Sequence, residues 1–278
     1  MARCEGWEKT LKIVSVQFDY GGLQSYKKLS QVFAYSVKKN CPDADLELIN
    51  AKPPEIKRKI RSKSFATNTL KIKLWLNALR STTDDVVFMD CDMIVLKDIS
   101  SAFKNDFDIG YTKRTGSRIP YNGGVVFVKN TPEAIKFIEH WKEINDKMYN
   151  DYTFHHTYRN KYAGMNQAAF GYIMETGGYK TKLKKFSCDI WNACVENWPK
   201  INDETRIVHI KGALRRSVLM NRSIAGCRFR RAIILWRNLA IEAGLIHAPK
   251  LDVNTATPIT PHPLIRKVRG LRRSRRRY

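Results

Sequence analysis

The run Val86-Val87-Phe88-Met89-Asp90-Cys91-Asp92-Met93-Ile94-Val95-Leu96 decides how this chain reads. Four consecutive apolar residues predict a strand covered on both faces, as in a parallel sheet, and not the alternation of a half-solvated one. Two aspartates, one residue apart, follow at its carboxyl end, where open α/β sheets bind their ligands. Such a pair can share a hard divalent cation through oxygen ligands. A lone Asp-x-Asp in a surface turn would carry no such meaning. Here apolar residues flank both sides, and burying two carboxylates without a cation is costly. Asp90 and Asp92 are therefore read as functional.

Outward from this run, strand and helix patterns alternate. Lys12–Val16 is a short β-branched strand, followed by a helical pattern through Leu29, Val32, Phe33 and Val37. Asn68 to Arg80 reads as a helix, with Ile72, Trp75, Leu76 and Leu79 on one face. Val125–Val128 is a second buried-type strand. Thr131-Pro132-Glu133 then opens a helix that turns Ala134, Phe137, Ile138, Trp141, Ile144 and Met148 inward. Ile207–Ile210 is a late strand. This order predicts an α/β fold, a mostly parallel sheet with helices on both faces. A helix over Ile224 to Ala243 and an Arg-rich tail complete it, so the expected division is 10–221 and 222–278.

The chain has 278 residues, 43% hydrophobic and 11% aromatic, enough for a packed core and too apolar for a disordered chain. Its longest apolar run, Ala232–Trp236, is far short of the ~20 residues of a spanning helix. Residues 1–7 do not read as a signal peptide, and six cysteines with no C-x-x-C pair read as free thiols. A cytoplasmic, reducing location is expected. The net charge is +24, and residues 222–278 carry half of it, with 14 Lys and Arg against 2 Asp and Glu. Such a field favours anionic partners: nucleotide, nucleic acid or an acidic membrane surface.

Four blocks in order resemble the glycogenin-like glycosyltransferase family eight. They are Lys71–Trp75 with Val86–Leu96, Tyr121–Phe127, Asn166–Phe170, and His209-Ile210-Lys211-Gly212, together spanning about residues 12–216. The resemblance implies a GT-A, Rossmann-like fold and a nucleotide-sugar donor, a UDP-hexose, with retention of anomeric configuration. It implies Asp90, Asp92 and His209 as ligands of Mn²⁺ or Mg²⁺. Arg215 stands where the family has a lysine on the diphosphate, and the family's following Pro-Trp is replaced by Ser217-Val218. Lys71 would lie near the donor phosphate and sugar, and Asn122 would hydrogen-bond sugar hydroxyls. Gly123 and Gly124 would let the backbone approach the sugar, and Gly212 belongs to the His-x-x-Gly block. Gln167 would lie near the anomeric carbon, preceded by Asn166 where the family has aspartate. Asp19 and Tyr20 match base-contacting positions loosely. Gln167, Asn122 and Lys71 are the catalytic candidates.

Three readings of function follow. The first is transfer to an anionic acceptor, leaning to nucleic acid such as a hydroxymethylated DNA base. The second is transfer to a glycan or glycolipid at an anionic membrane surface, with a peripheral tail. The third is a nucleic-acid-binding module on an inactive GT-A scaffold, against which the intact aspartates and His209 count. Basic residues in expected loops (Lys57, Arg58, Lys59, Arg61, Lys63; Lys113, Arg114, Arg118) and the basic–aromatic segment His155–Tyr162 favour the first.

Overall fold

The computed structural model describes residues 10–18, 24–56, 62–114, 119–164, 166–220, 229–248 and 250–251. The expected Asp19, Tyr20, Lys57, Arg58, Lys59, Arg61 and Arg118, the start of the C-terminal helix at 224–228, and the tail lie outside these residues.

In chain order the elements are β1 (Leu11–Phe18), α1 (Gln24–Asn40), β2 (Asp45–Ala51), α2 (Lys63–Arg80), β3 (Asp85–Asp90) and β4 (Met93–Val95). There follow β5 (Ile109–Lys113), β6 (Tyr121–Val128), α3 (Pro132–Asn150), α4 (Tyr152–Tyr162), α5 (Asn166–Thr176) and β7 (Leu183–Ser187). The last are α6 (Cys188–Trp191), β8 (Ile207–His209), α7 (Gly212–Leu219) and α8 (Arg230–Glu242). Six strands form one sheet in the order β2-β1-β3-β6-β5-β7, and β4 and β8 form a separate ribbon. Within the sheet β6 alone runs against the others, so the sheet is mostly parallel.

Alternation along β3 shows why both faces are covered. Val86 and Phe88 pack with α2, α3 and α5, while Val87 and Met89 pack on the other side with α1 and β4. All four side chains are fully buried. Trp75 of α2 stacks on Phe88 at 4.8 Å, and Trp141 of α3 stacks on Phe170 of α5 at 4.6 Å. α3 begins as its sequence predicts: Thr131 Oγ1 accepts the Ala134 N–H at 3.2 Å, with Pro132 in the first turn. α8 shares a core with α1 and β8, Ile233 and Trp236 lying among Leu29, Val32 and Val208.

Two expectations need correction here. α2 starts at Lys63 and not at Asn68, because Ser62 caps it and accepts the Phe65 N–H at 3.2 Å. Lys63 is thus helical and not part of a loop. Lys113 is likewise in β5, its ammonium 5.3 Å over the Tyr121 ring.

Candidate active site

The three residues of interest meet through backbone pairing. β3 ends at Asp90, the chain turns through Cys91 and Asp92, and β4 then pairs antiparallel with β8 so that Met93 faces His209. The Ile210 N–H donates to the Asp92 carbonyl at 2.7 Å, and Trp198 Nε1 donates to the His209 carbonyl at 3.1 Å. His209 Nε2 consequently lies 3.2 Å from Asp92 Oδ1 and 3.7 Å from Asp90 Oδ2. One ligand atom from each of Asp90, Asp92 and His209 falls within 4.8 Å of the others. Two carboxylate oxygens and an imidazole nitrogen converging on one point are a donor set that suits a divalent cation of the Mn²⁺ type. The residues fit the metal.

Cations surround this point. Lys71, on the buried face of α2, donates to Asp90 Oδ1 at 2.6 Å and lies 4.5 Å from the Trp75 ring. Arg215 of α7 places a guanidinium nitrogen 3.6 Å from Asp92 Oδ2. Burial pushes the Asp92 carboxyl up, but the hydrogen bond and charge of His209, with Arg215 and Lys211, outweigh it and hold the group below the ordinary value. The Cys91 thiol, between the two aspartates, is pushed up by burial. The cleft over the cluster is lined by Val16, Phe18, Tyr26, Thr67, Asn68 and Lys71 as well as the ligand residues.

Residues 37–213 match the family of nucleotide-diphospho-sugar transferases, more than half of the chain. The chain belongs to that family. Three solved structures share the fold, each with a TM-score of 0.53. A glycosyltransferase involved in glycosylation of the major capsid of PBCV-1 is 15% identical, over 77% of this chain and 100% of its own. The galactosyltransferase LgtC, solved with donor and acceptor sugar analogues, is 13% identical, over 86% of this chain and 98% of its own. The glycosyltransferase GlyE of Streptococcus pneumoniae TIGR4 is 12% identical, over 89% of this chain and 62% of its own. No curated protein sequence matches the chain. It is a GT-A glycosyltransferase that takes a nucleotide-sugar donor and resembles family eight.

In the transferase the remaining candidates are placed unequally. Asn122 is 3% exposed and engaged within the fold: its Oδ1 accepts the Gly124 N–H at 3.0 Å, and its Nδ2 lies 3.6 Å from Cys194 Sγ. A contact to a sugar hydroxyl would require those bonds to be exchanged. Asn166 is fully buried, with neither end of its amide hydrogen-bonded among the described residues. It lies behind Gly123, whose added Cβ would be 3.6 Å from Asn166 Nδ2. Gln167 is half-buried, and its Oε1 rests against Gly164. Gly212 adopts a φ of +55° at the start of α7, where no side chain caps the helix.

Gly124 has a packing reason that its sequence did not offer. A Cβ there would lie 2.8 Å from His209 Cε1 and 2.9 Å from the Met93 methyl. The glycine makes room for the His209 ring.

The basic–aromatic segment is corrected too. In α4, Tyr158 packs edge-on to Tyr172 at 4.7 Å, Tyr162 is 5% exposed, and His155 lies 4.4 Å from the Phe65 ring. These rings are core. Arg114 is 8% exposed and its guanidinium is forked by Glu196, two of the contacts being 2.8 and 3.1 Å, so it is not a free loop cation. Burial alone would raise the Glu196 carboxyl, but Arg114 holds it low.

Sequence reasoning missed Tyr26, Thr67 and Asn68. Tyr26 lies 4.9 Å from the Arg215 guanidinium and accepts a hydrogen bond from it. Thr67 and Asn68 stand four and three residues before Lys71, and helical spacing could have found them.

Proposed function

We propose that the chain transfers a hexose from a UDP-sugar, with retention, to a hydroxyl of an anionic acceptor. The convergence of Asp90, Asp92 and His209 at the carboxyl ends of β3 and β8, in a cleft edged by Lys71 and Arg215, carries this reading. Bound there, Mn²⁺ or Mg²⁺ would offset the charge that grows on the departing diphosphate. Asp90, Asp92 and His209 would hold it through two carboxylate oxygens and one imidazole nitrogen. Lys71 balances the charge of Asp90 and fixes its orientation. Arg215, propped on Tyr26, presents a guanidinium to a phosphate oxygen. The uncapped start of α7 at Gly212 adds backbone N–H groups of the kind that bind phosphate.

Gln167 would stand by the anomeric carbon; in the LgtC structure with an active-site glutamine changed to glutamate, a glutamine belongs to that enzyme's active site. The bond from the anomeric carbon to the diphosphate oxygen breaks, a bond to the acceptor oxygen forms on the same face, and the acceptor proton leaves on the diphosphate. Asn122, Gly123 and Asn166 would shape the sugar end of the site from behind, and Asp19 and Tyr20 would meet the base. The test is a screen of nucleotide sugars with Mn²⁺, read as release of nucleoside diphosphate. Release from a UDP-hexose is expected, and no release from any donor would overturn the reading.

A second reading makes the acceptor a nucleic acid, such as a hydroxymethylated base. It is supported by the net +24 and the 14 Lys and Arg in residues 222–278. Duplex DNA should then bind without donor, with log K falling against log salt by about 0.9 per phosphate contacted. Binding that ignores salt would remove this reading. No helix among the described residues is long and apolar enough to cross a membrane.

A further inference from the structure

One face of α4 takes no part in the core. Phe154, Tyr158 and Tyr162 turn inward, whereas Tyr152, His156, Arg159 and Asn160, at i, i+4, i+7 and i+8, share the other face. With Arg114 and Gly164 they line a groove of about 530 Å³, within the range of small-molecule sites. Tyr152 is 52% exposed, and its ring stacks on that of His156 with centroids 5.7 Å apart and planes at 26°. Asn160 Nδ2 lies 3.5 Å from His156 Nδ1. Among the described residues Arg159 has no ion-pair partner, while the Arg114 charge is taken by Glu196.

The floor of this groove abuts Gln167. Gly164 has a φ of +98°, and a Cβ on it would lie 2.5 Å from Gln167 Oε1. The neighbouring Asn166 backs onto Gly123, and Gly124 backs onto His209. The groove thus borders Gln167, which the proposed function sets by the anomeric carbon, a placement suited to an acceptor approaching the donor sugar.

We infer that this groove is the acceptor subsite and that it takes a carbohydrate chain, an inference that rests on the proposed glycosyl transfer. A flat exposed ring pair offers a surface to the apolar face of a sugar, and the planar donors of Arg159 and Asn160 beside it match adjacent hydroxyls. A nucleobase could also stack there, but a nucleic acid needs unpaired cations along its phosphates. Among the described residues the groove supplies one, Arg159.

The experiment uses the full chain on an array of neutral and uronic-acid-containing oligosaccharides, with a single-stranded oligothymidylate in parallel. Hydrolysis of the nucleotide sugar is read on the same preparations. At least one oligosaccharide should bind. Tyr152→Ala and Arg159→Ala should each raise the KM for it and lower the ratio of transfer to donor hydrolysis by about tenfold, the loss of one well-placed contact. Donor hydrolysis with no oligosaccharide bound overturns the inference. So does saccharide binding indifferent to both substitutions, or a loss confined to the oligothymidylate. Absence of donor hydrolysis in the unaltered protein would count against the transfer reading, whereas saccharide binding lost in both variants would still uphold the groove.

Discussion

The corner where β3, β4 and β8 meet and the outer face of α4 hold polar side chains under opposite conditions. At the corner, strand pairing sets each residue: Met93 opposes His209, and Asp92 accepts from Ile210. His209 is 4% exposed and Asp92 is 7% exposed, so neither can turn away from the other. Along α4 the backbone sets which face a residue takes, and Tyr152, His156 and Arg159 stand exposed on the outer one. The buried corner suits chemistry on a fixed leaving group, and the exposed face suits recognition of an acceptor.

The largest effect that would break this contrast is at the corner. Asp92→Asn should lower donor turnover by about a thousandfold, since charge stabilisation at such a centre is worth several kcal/mol and each 1.4 kcal/mol is tenfold. The unfolding transition should stay cooperative, because asparagine keeps the volume. Turnover within tenfold of the unaltered protein would mean that the corner is not where the donor reacts.

The two faces of α4 should separate next, this time in stability. Tyr162→Ala empties the space over Gly171, whose added Cβ would be 2.3 Å from the Tyr162 ring. Denaturant unfolding should show a cost of about 3 kcal/mol. Tyr152→Ala, on the outer face, should stay within about 0.5 kcal/mol. Equal losses would mean that the outer face is structural after all.

A finer division lies between neighbouring glycines. Gly124→Ala drives a methyl into the His209 ring and should lower metal affinity by about 10- to 100-fold, the usual range when a ligand's support is disturbed. Gly123→Ala meets Trp141 only at 3.4 Å and should leave metal affinity within about threefold. Isothermal titration of Mn²⁺ into the two variants distinguishes them, and a reversed order would remove the packing account of Gly124.

How far the sequence could be read follows from the same contrast. β3 was legible because four apolar residues in a row, too short for a helix and ended by two aspartates, suit a strand covered on both faces. α3 was legible from Thr131-Pro132 and its apolar spacing. The start of α2 was not, since Lys63-Ser64 carries no apolar period and only the Ser62 cap marks the helix. β7, Leu-Lys-Lys-Phe-Ser at the sheet edge, has one buried position and so little pattern to detect. His155, Tyr158 and Tyr162 of α4 looked like a stacking surface because sequence alone does not say which face of a polar helix turns inward. The pairing of β4 with β8 was hidden as well, since nothing local ties Met93 to a histidine more than a hundred residues away. Only the family blocks pointed to His209.

The most direct test of the account is Mn²⁺ binding followed by electron paramagnetic resonance in the presence of UDP. The protein should bind about one Mn²⁺ per chain, and the Asp90→Asn, Asp92→Asn double variant should leave the ion in solution. Equal binding by the two proteins, or none by the unaltered chain, would contradict the assignment of the metal centre to Asp90, Asp92 and His209.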